Sequence, residues 1–203
     1  MTVSGLVVLL GLTLSAGGPA ADEHLLAGAR AFREARYSES LVEFRVAQRL
    51  GAPDAARYAA VALVKLGRPE EAVETFGGLD GQGPDALVDY YRAVAAFEAR
   101  LYLASDRLLA SIADRAGPRI GEQVARMRAD IANALKAEPT TAAIDWYLER
   151  GGAARAEGRP VLAAAYLREA AALSGRRPDR YRQPDAQRGG GAAAATPDQG
   201  ARP

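Results

Sequence analysis

From Asp22 to Ser174 the apolar residues recur at the three-to-four-residue spacing of helices with one buried face. The pattern is interrupted at Gly51-Ala52-Pro53, Gly67-Arg68-Pro69, Gly77-Gly78, Gly81-Gln82-Gly83-Pro84, Gly117-Pro118, Pro139 and Gly158-Arg159-Pro160. A glycine after one helix and a proline at the start of the next is the usual punctuation. Proline has no N–H to lose in a first turn, and glycine enters the left-handed region without strain. The breaks predict about nine helices of 11 to 20 residues, joined by tight turns. Hydrophobic residues make up 49% and aromatics only 6%, so alanine supplies much of the apolar face. Alanine is the best helix former, while the β-branched residues that favour sheets are sparse. The expected fold class is all-α.

Both ends depart from this pattern. Leu6 to Leu14 form an apolar run, followed by the small and turn-forming residues Ser15 to Ala21, and charge appears at Asp22 and Glu23. A run of about ten apolar residues before small residues is the secretory pattern, and it is short for a membrane span. Residues 1–21 are therefore expected to be a signal peptide, cleaved after Ala20 or after Ala16, although no Lys or Arg precedes the run. The expected location is the periplasm or cell envelope, with secretion possible. Membrane contact is expected only through an uncleaved signal. Residues 175–203 lose the periodicity and are rich in Arg, Gly, Ala and Pro, the composition of a disordered tail. That tail carries six arginines and three aspartates, which leaves the body near −2 within a net charge of +1. The helical domain is expected over residues 22–174.

The turns repeat. Ala35-Arg36-Tyr37, Gly67-Arg68-Pro69, Arg100-Leu101-Tyr102 and Gly158-Arg159-Pro160 begin 32, 33 and then 58 residues apart. A period in the low thirties is the signature of stacked helical hairpins. Side-chain size repeats in register with the turns. Seven residues before each turn stand Gly28, Ala60, Ala93 and Gly151, and four before stand Ala31, Leu63, Ala96 and Ala154. Five after stand Ser40, Ala72, Ser105 and Ala163, and nine after stand Phe44, Phe76, Leu109 and Leu167. Antiparallel helices joined by a two- or three-residue turn pack closely only where their crossing lacks bulk. The small slots are therefore expected to face each other, with the bulky residue filling the gap to the next hairpin. One hairpin leaves a face uncovered, so several must stack.

This register resembles the tetratricopeptide repeat family, in divergent form and over three to four repeats. The unit from Pro53 to Pro84 carries the resemblance best, with Leu66-Gly67 at the turn, then Ala72, Phe76 and the closing Pro84. The first unit matches at Leu26, Gly28, Tyr37, Phe44 and Ala47, and the last around Trp146 to Leu173. The third departs at Arg100, where a glycine is usual, and an extra helix from Arg119 to Ala137 breaks the array. The resemblance implies a right-handed superhelix of antiparallel helix pairs whose first helices line a concave groove. It also implies a protein-binding scaffold. On that pattern the partner-binding residues are Phe32, Arg57, Val61, Val64, Tyr90, Val94 and Phe97, an apolar strip edged by basic residues. Such a strip suits an amphipathic helix or an extended peptide with apolar anchors. The family's carboxylate-gripping mode is not expected, because the matching positions are Ala29, Val61 and Val94. Trp146 and Tyr147 are expected to seal the extra helix against the last hairpin.

The remaining chemistry narrows the reading further. With no cysteine and one histidine, His24, the chain has no thiolate site and no multi-histidine metal site. No catalytic constellation, cofactor or metal is expected, and the helical body has no basic face for nucleic acid. Acid pairs such as Glu70-Glu71 are expected to serve helix starts. The leading expectation is an exported scaffold docking a peptide or partner protein in its groove. The alternatives are an assembly subunit self-associating through its ends and, more remotely, an accessory domain in envelope-polymer metabolism.

Overall fold

The computed structural model describes residues 18–79, 85–137 and 139–175. The expected signal and tail lie outside the described residues, apart from Gly18 to Ala21 and Gly175. Among the described residues the fold is all-α, with nine helices and no strand. They are α1 (Pro19–Arg33), α2 (Tyr37–Arg49), α3 (Ala55–Lys65), α4 (Pro69–Gly77), α5 (Ala86–Glu98), α6 (Tyr102–Ile112), α7 (Pro118–Ala134), α8 (Thr141–Ala156) and α9 (Pro160–Ser174). The shortest, α4, has 9 residues because the Gly77-Gly78 pair ends it early.

Helix starts follow local chemistry. Proline occupies the first turn of α1, α4, α7 and α9. Asp85 caps α5 by accepting from the N–H groups of Leu87 (2.9 Å) and Val88 (3.2 Å). Thr140 caps α8 through Ala143 N–H at 3.1 Å. Each cap satisfies backbone donors that have no partner within their own helix.

The four hairpin turns share one geometry. Ala35, Gly67, Arg100 and Gly158 all have left-handed backbone, with φ of 58, 68, 63 and 72°. In each turn the next residue's N–H returns to the carbonyl five positions back: Arg36 to Ala31, Arg68 to Leu63, Leu101 to Ala96 and Arg159 to Ala154, at 2.8 to 3.0 Å. This is the six-to-one bond that closes a helix through a left-handed residue. The register read from side-chain size is thus also a backbone register.

The crossings explain the small residues. A Cβ on Gly28 would lie 2.7 Å from the Phe44 ring, and one on Gly151 would lie 3.0 Å from Leu167. Ala60 and Ala93 are fully buried, and the Ser105 hydroxyl donates to the Ala93 carbonyl at 2.8 Å. One detail differs from expectation. The bulky residues Phe44 and Leu167 stand on the glycine of their own hairpin, besides any contact onward. Phe44 does reach the next hairpin, with its ring centroid 5.5 Å from that of Tyr58.

The hairpins α1–α2, α3–α4 and α5–α6 pack in succession, and α7 lies against α6 and α5. Helix α7 buries only Val124 and Ile131 and turns a polar face outward, so it closes the row of hairpins. The hairpin α8–α9 folds back, and α9 packs on α4 and α6. It forms a second apolar cluster with Ala96, Ala99 and Leu101, beside the main cluster drawn from α1 to α7.

Candidate functional site

The folded-back hairpin is joined to the body by carboxylates. Helices α6 and α9 have no side-chain cap of their own. Glu169 of α9 supplies one for α6, accepting from the N–H groups of Leu103 (2.6 Å) and Ala104 (3.3 Å). Glu74 of α4 does the same for α9, accepting from Leu162 (2.7 Å) and Val161 (3.4 Å). A carboxylate at a helix N-terminus gains both the hydrogen bonds and the helix dipole. Glu169 is fully buried, and burial pushes its carboxyl up despite the bonds from Leu103 and Ala104.

Glu70, in the first turn of α4, accepts from Arg150 of α8, from Arg159 at 3.2 Å and from the Tyr166 hydroxyl at 2.9 Å. Burial alone would raise this carboxyl, but the bonds from Arg150 and Tyr166 hold it below the usual carboxylate range. The Tyr166 phenol is pushed up to about 12 by burial and by the hydrogen bond to Glu70.

These groups line a cleft of about 450 Å³ between the α3–α4 turn, the α5–α6 turn and the last hairpin. Arg68, Arg100, Arg150 and Arg159 enter it, with Glu70, Glu71, Glu98, Trp146 and Tyr166. Arg68 is engaged by Glu71 at 2.6 Å, and Arg159 also by Glu157. Arg100 differs from the other three. Its guanidinium lies 5.5 Å from the centre of the Trp146 ring, and it makes no carboxylate pair among the described residues. Its carbonyl accepts from the Tyr147 hydroxyl at 2.7 Å. Trp146 and Tyr147 contact Tyr166 and this turn, and Leu135, within the extra helix as bounded from the sequence, packs against the same cluster.

The strip assigned from the sequence sits elsewhere. Phe32, Val61, Val64, Tyr90 and Val94 are buried members of the main apolar cluster, with exposures of 1 to 6%. Phe97 packs on that cluster half-buried, its ring 5.6 Å from Tyr102. Arg57 is partly buried and pairs with Asp54 at 3.5 Å. The six apolar side chains share one core, and none of the seven lines the arginine cleft. Sequence reading missed Glu70, Arg150 and Arg159 as a group because Glu70 lies about 80 to 90 positions from the two arginines. The one legible signal was Arg100 at a turn position that glycine fills in two of the other units.

Among the described residues no cluster of His, Cys, Asp and Glu could hold a metal ion, and no helix is long and apolar enough to cross a membrane. Comparison with protein-family models, curated proteins and solved structures found no match.

Proposed function

We propose that this chain is an exported, tetratricopeptide-type docking scaffold that binds an acidic segment of a partner protein in the arginine cleft. The observation that carries this reading is Arg100. A non-glycine residue in left-handed backbone costs about 1–2 kcal/mol, and such strain concentrates at functional sites. Ala35 adopts the same conformation in the first turn, so the backbone alone is not the signal. What distinguishes Arg100 is a guanidinium spread on Trp146 in the cleft, with no carboxylate paired to it among the described residues. An aromatic face beside an uncommitted arginine is a common anchor arrangement for an acidic ligand. Four arginines against three glutamates leave the lining one positive charge in excess.

Trp146 is the only tryptophan, so its emission reports on this cleft directly. Titration at low salt with hexaglutamate should give a saturable change that hexalysine does not give and that Arg100→Ala abolishes. Equal responses to the two peptides would remove the reading. The export part rests on the apolar run Leu6–Leu14 before small residues. Sequencing the mature amino terminus tests it, and a retained Met1 would sink it.

A second reading, self-association through the first hairpin, is favoured by Leu26 and Val42, which are 48% and 58% exposed there. Sedimentation across a concentration series separates the two. Mass that rises with concentration, and falls back in Val42→Glu, supports self-association.

A further inference from the structure

We propose that the α8–α9 hairpin is a jaw that swings off α4 and α6 as a unit while α1 to α7 remain folded. The purpose assigned to it rests on the docking reading, since the jaw carries Trp146, Arg150, Arg159 and Tyr166 and so forms one wall of the arginine cleft.

Three observations lead here. The first is the division of the core. The last hairpin's apolar residues cluster with Ala96, Ala99 and Leu101, and only the partly buried Val73, Leu108 and Leu135 pack against both this cluster and the main one. Losing that contact uncovers those three side chains but removes no buried member of the main cluster.

The second is the quality of the seam. A half-open pocket of about 280 Å³ lies between α4, α5, α6 and α9, lined by Val73, Leu108, Val161 and Ala165 together with Arg92, Arg107 and Arg168. Water therefore reaches into the seam, and the apolar side chains on the pocket wall have no protein partner on that side. The seam is therefore only partly packed, close where Val161 meets Gly77 and open to solvent beside it.

The third is what ties the seam. Glu74 on the Val161 and Leu162 amides, Glu169 on the Leu103 and Ala104 amides, and Glu70 on Arg150, Arg159 and Tyr166 are polar links. Opening lets water take over each partner, as it cannot for lost apolar contacts. Such a segment belongs at the low end of a protein's range of local opening energies.

Hydrogen exchange of the full chain by mass spectrometry, under native conditions and without ligand, tests this. Amides of α8, α9 and the first turn of α6 should exchange together, at least ten-fold faster than those of α3 and α5. Exchange of α8 and α9 at the rates of α3 and α5 would overturn the proposal. A cysteine clamp gives the converse. A Cβ on Gly77 lies 3.2 Å from the Val161 Cβ, a few tenths of an ångström inside the span of about 3.5–4.5 Å that a disulfide bridges. The chain has no other cysteine. Oxidised Gly77→Cys/Val161→Cys should slow exchange in α8 and α9 at least ten-fold relative to its reduced form. No slowing would overturn the jaw. Should that pair fail to fold, Glu74→Ala serves instead. Faster exchange confined to α8, α9 and the α6 start supports the proposal, and an equal rise across the chain defeats it. Because no ligand enters these measurements, failure of the jaw is distinguishable from failure of the docking reading.

Discussion

Val161 stands directly on the bare backbone of Gly77: a Cβ there would overlap the valine's Cγ1. Val161 is β-branched and held in the first turn of α9, so it has little rotamer freedom with which to retreat. Gly77→Ala should destabilise docking of the last hairpin by about 1–3 kcal/mol, the usual cost of overpacking. Val161→Ala in the same chain should recover most of it. Urea unfolding of the single and double variants, treated as a cycle, gives the coupling directly.

Ser40 and Ser105 occupy the same repeat slot with opposite outcomes. Both are fully buried, yet Ser105 donates to Ala93 while the Ser40 hydroxyl has no hydrogen-bond partner among the described residues. A buried hydroxyl without a hydrogen bond costs about 1–3 kcal/mol. Ser40→Ala should raise stability by about 1 kcal/mol, matching the alanine already present at Ala72 and Ala163. Ser105→Ala should lower it by about 1 kcal/mol. Thermal unfolding of the two variants should move in opposite directions.

Glu70 and Glu169 give opposite pH dependences. Glu70 is held below its ordinary range, so its stabilising contribution is present above the unfolded carboxylate value, about 4.3, and is lost as pH falls through the lowered folded value. The cost of Glu70→Gln should be full at pH 7 and shrink in acid. Glu169 is pushed up, so its contribution is fully present below the unfolded value and is lost as pH rises through the folded one. Glu169→Gln keeps an acceptor for the α6 amides but cannot ionise. Its stability relative to wild type should therefore climb as pH rises from about 4 to 7. Denaturant midpoints across that range read both slopes.

Arg100→Gly should separate stability from binding. Glycine takes the left-handed conformation without the Cβ clash, as Gly67 and Gly158 do in the equivalent turns. The variant should gain about 1 kcal/mol in unfolding free energy while losing the Trp146 response to hexaglutamate. A stable variant with an intact response would detach Arg100 from the proposed site.

Much of the body was legible from spacing because hairpins are local. The turns at Ala35, Gly67, Arg100 and Gly158 share left-handed geometry, and the small slots at Gly28, Ala60, Ala93 and Gly151 are buried. Each of those constraints acts between residues fewer than twenty positions apart. The partner strip was harder to read. An apolar position on a first helix, such as Val61 or Tyr90, looks the same in sequence whether it lines a groove or lies in the core. Here both lie in the core.

By itself the sequence determined helix, turn and crossing, since backbone strain and side-chain volume are settled within one hairpin. Only the tertiary structure decided that α9 returns to α4 and α6, that Glu74 and Glu169 cap helices other than their own, and that Glu70 meets Arg150 and Arg159. The physical reason is distance along the chain. Hydrophobic periodicity says which face of a helix must be covered, but the partner that covers it is selected by a match of shape and charge between segments remote in sequence.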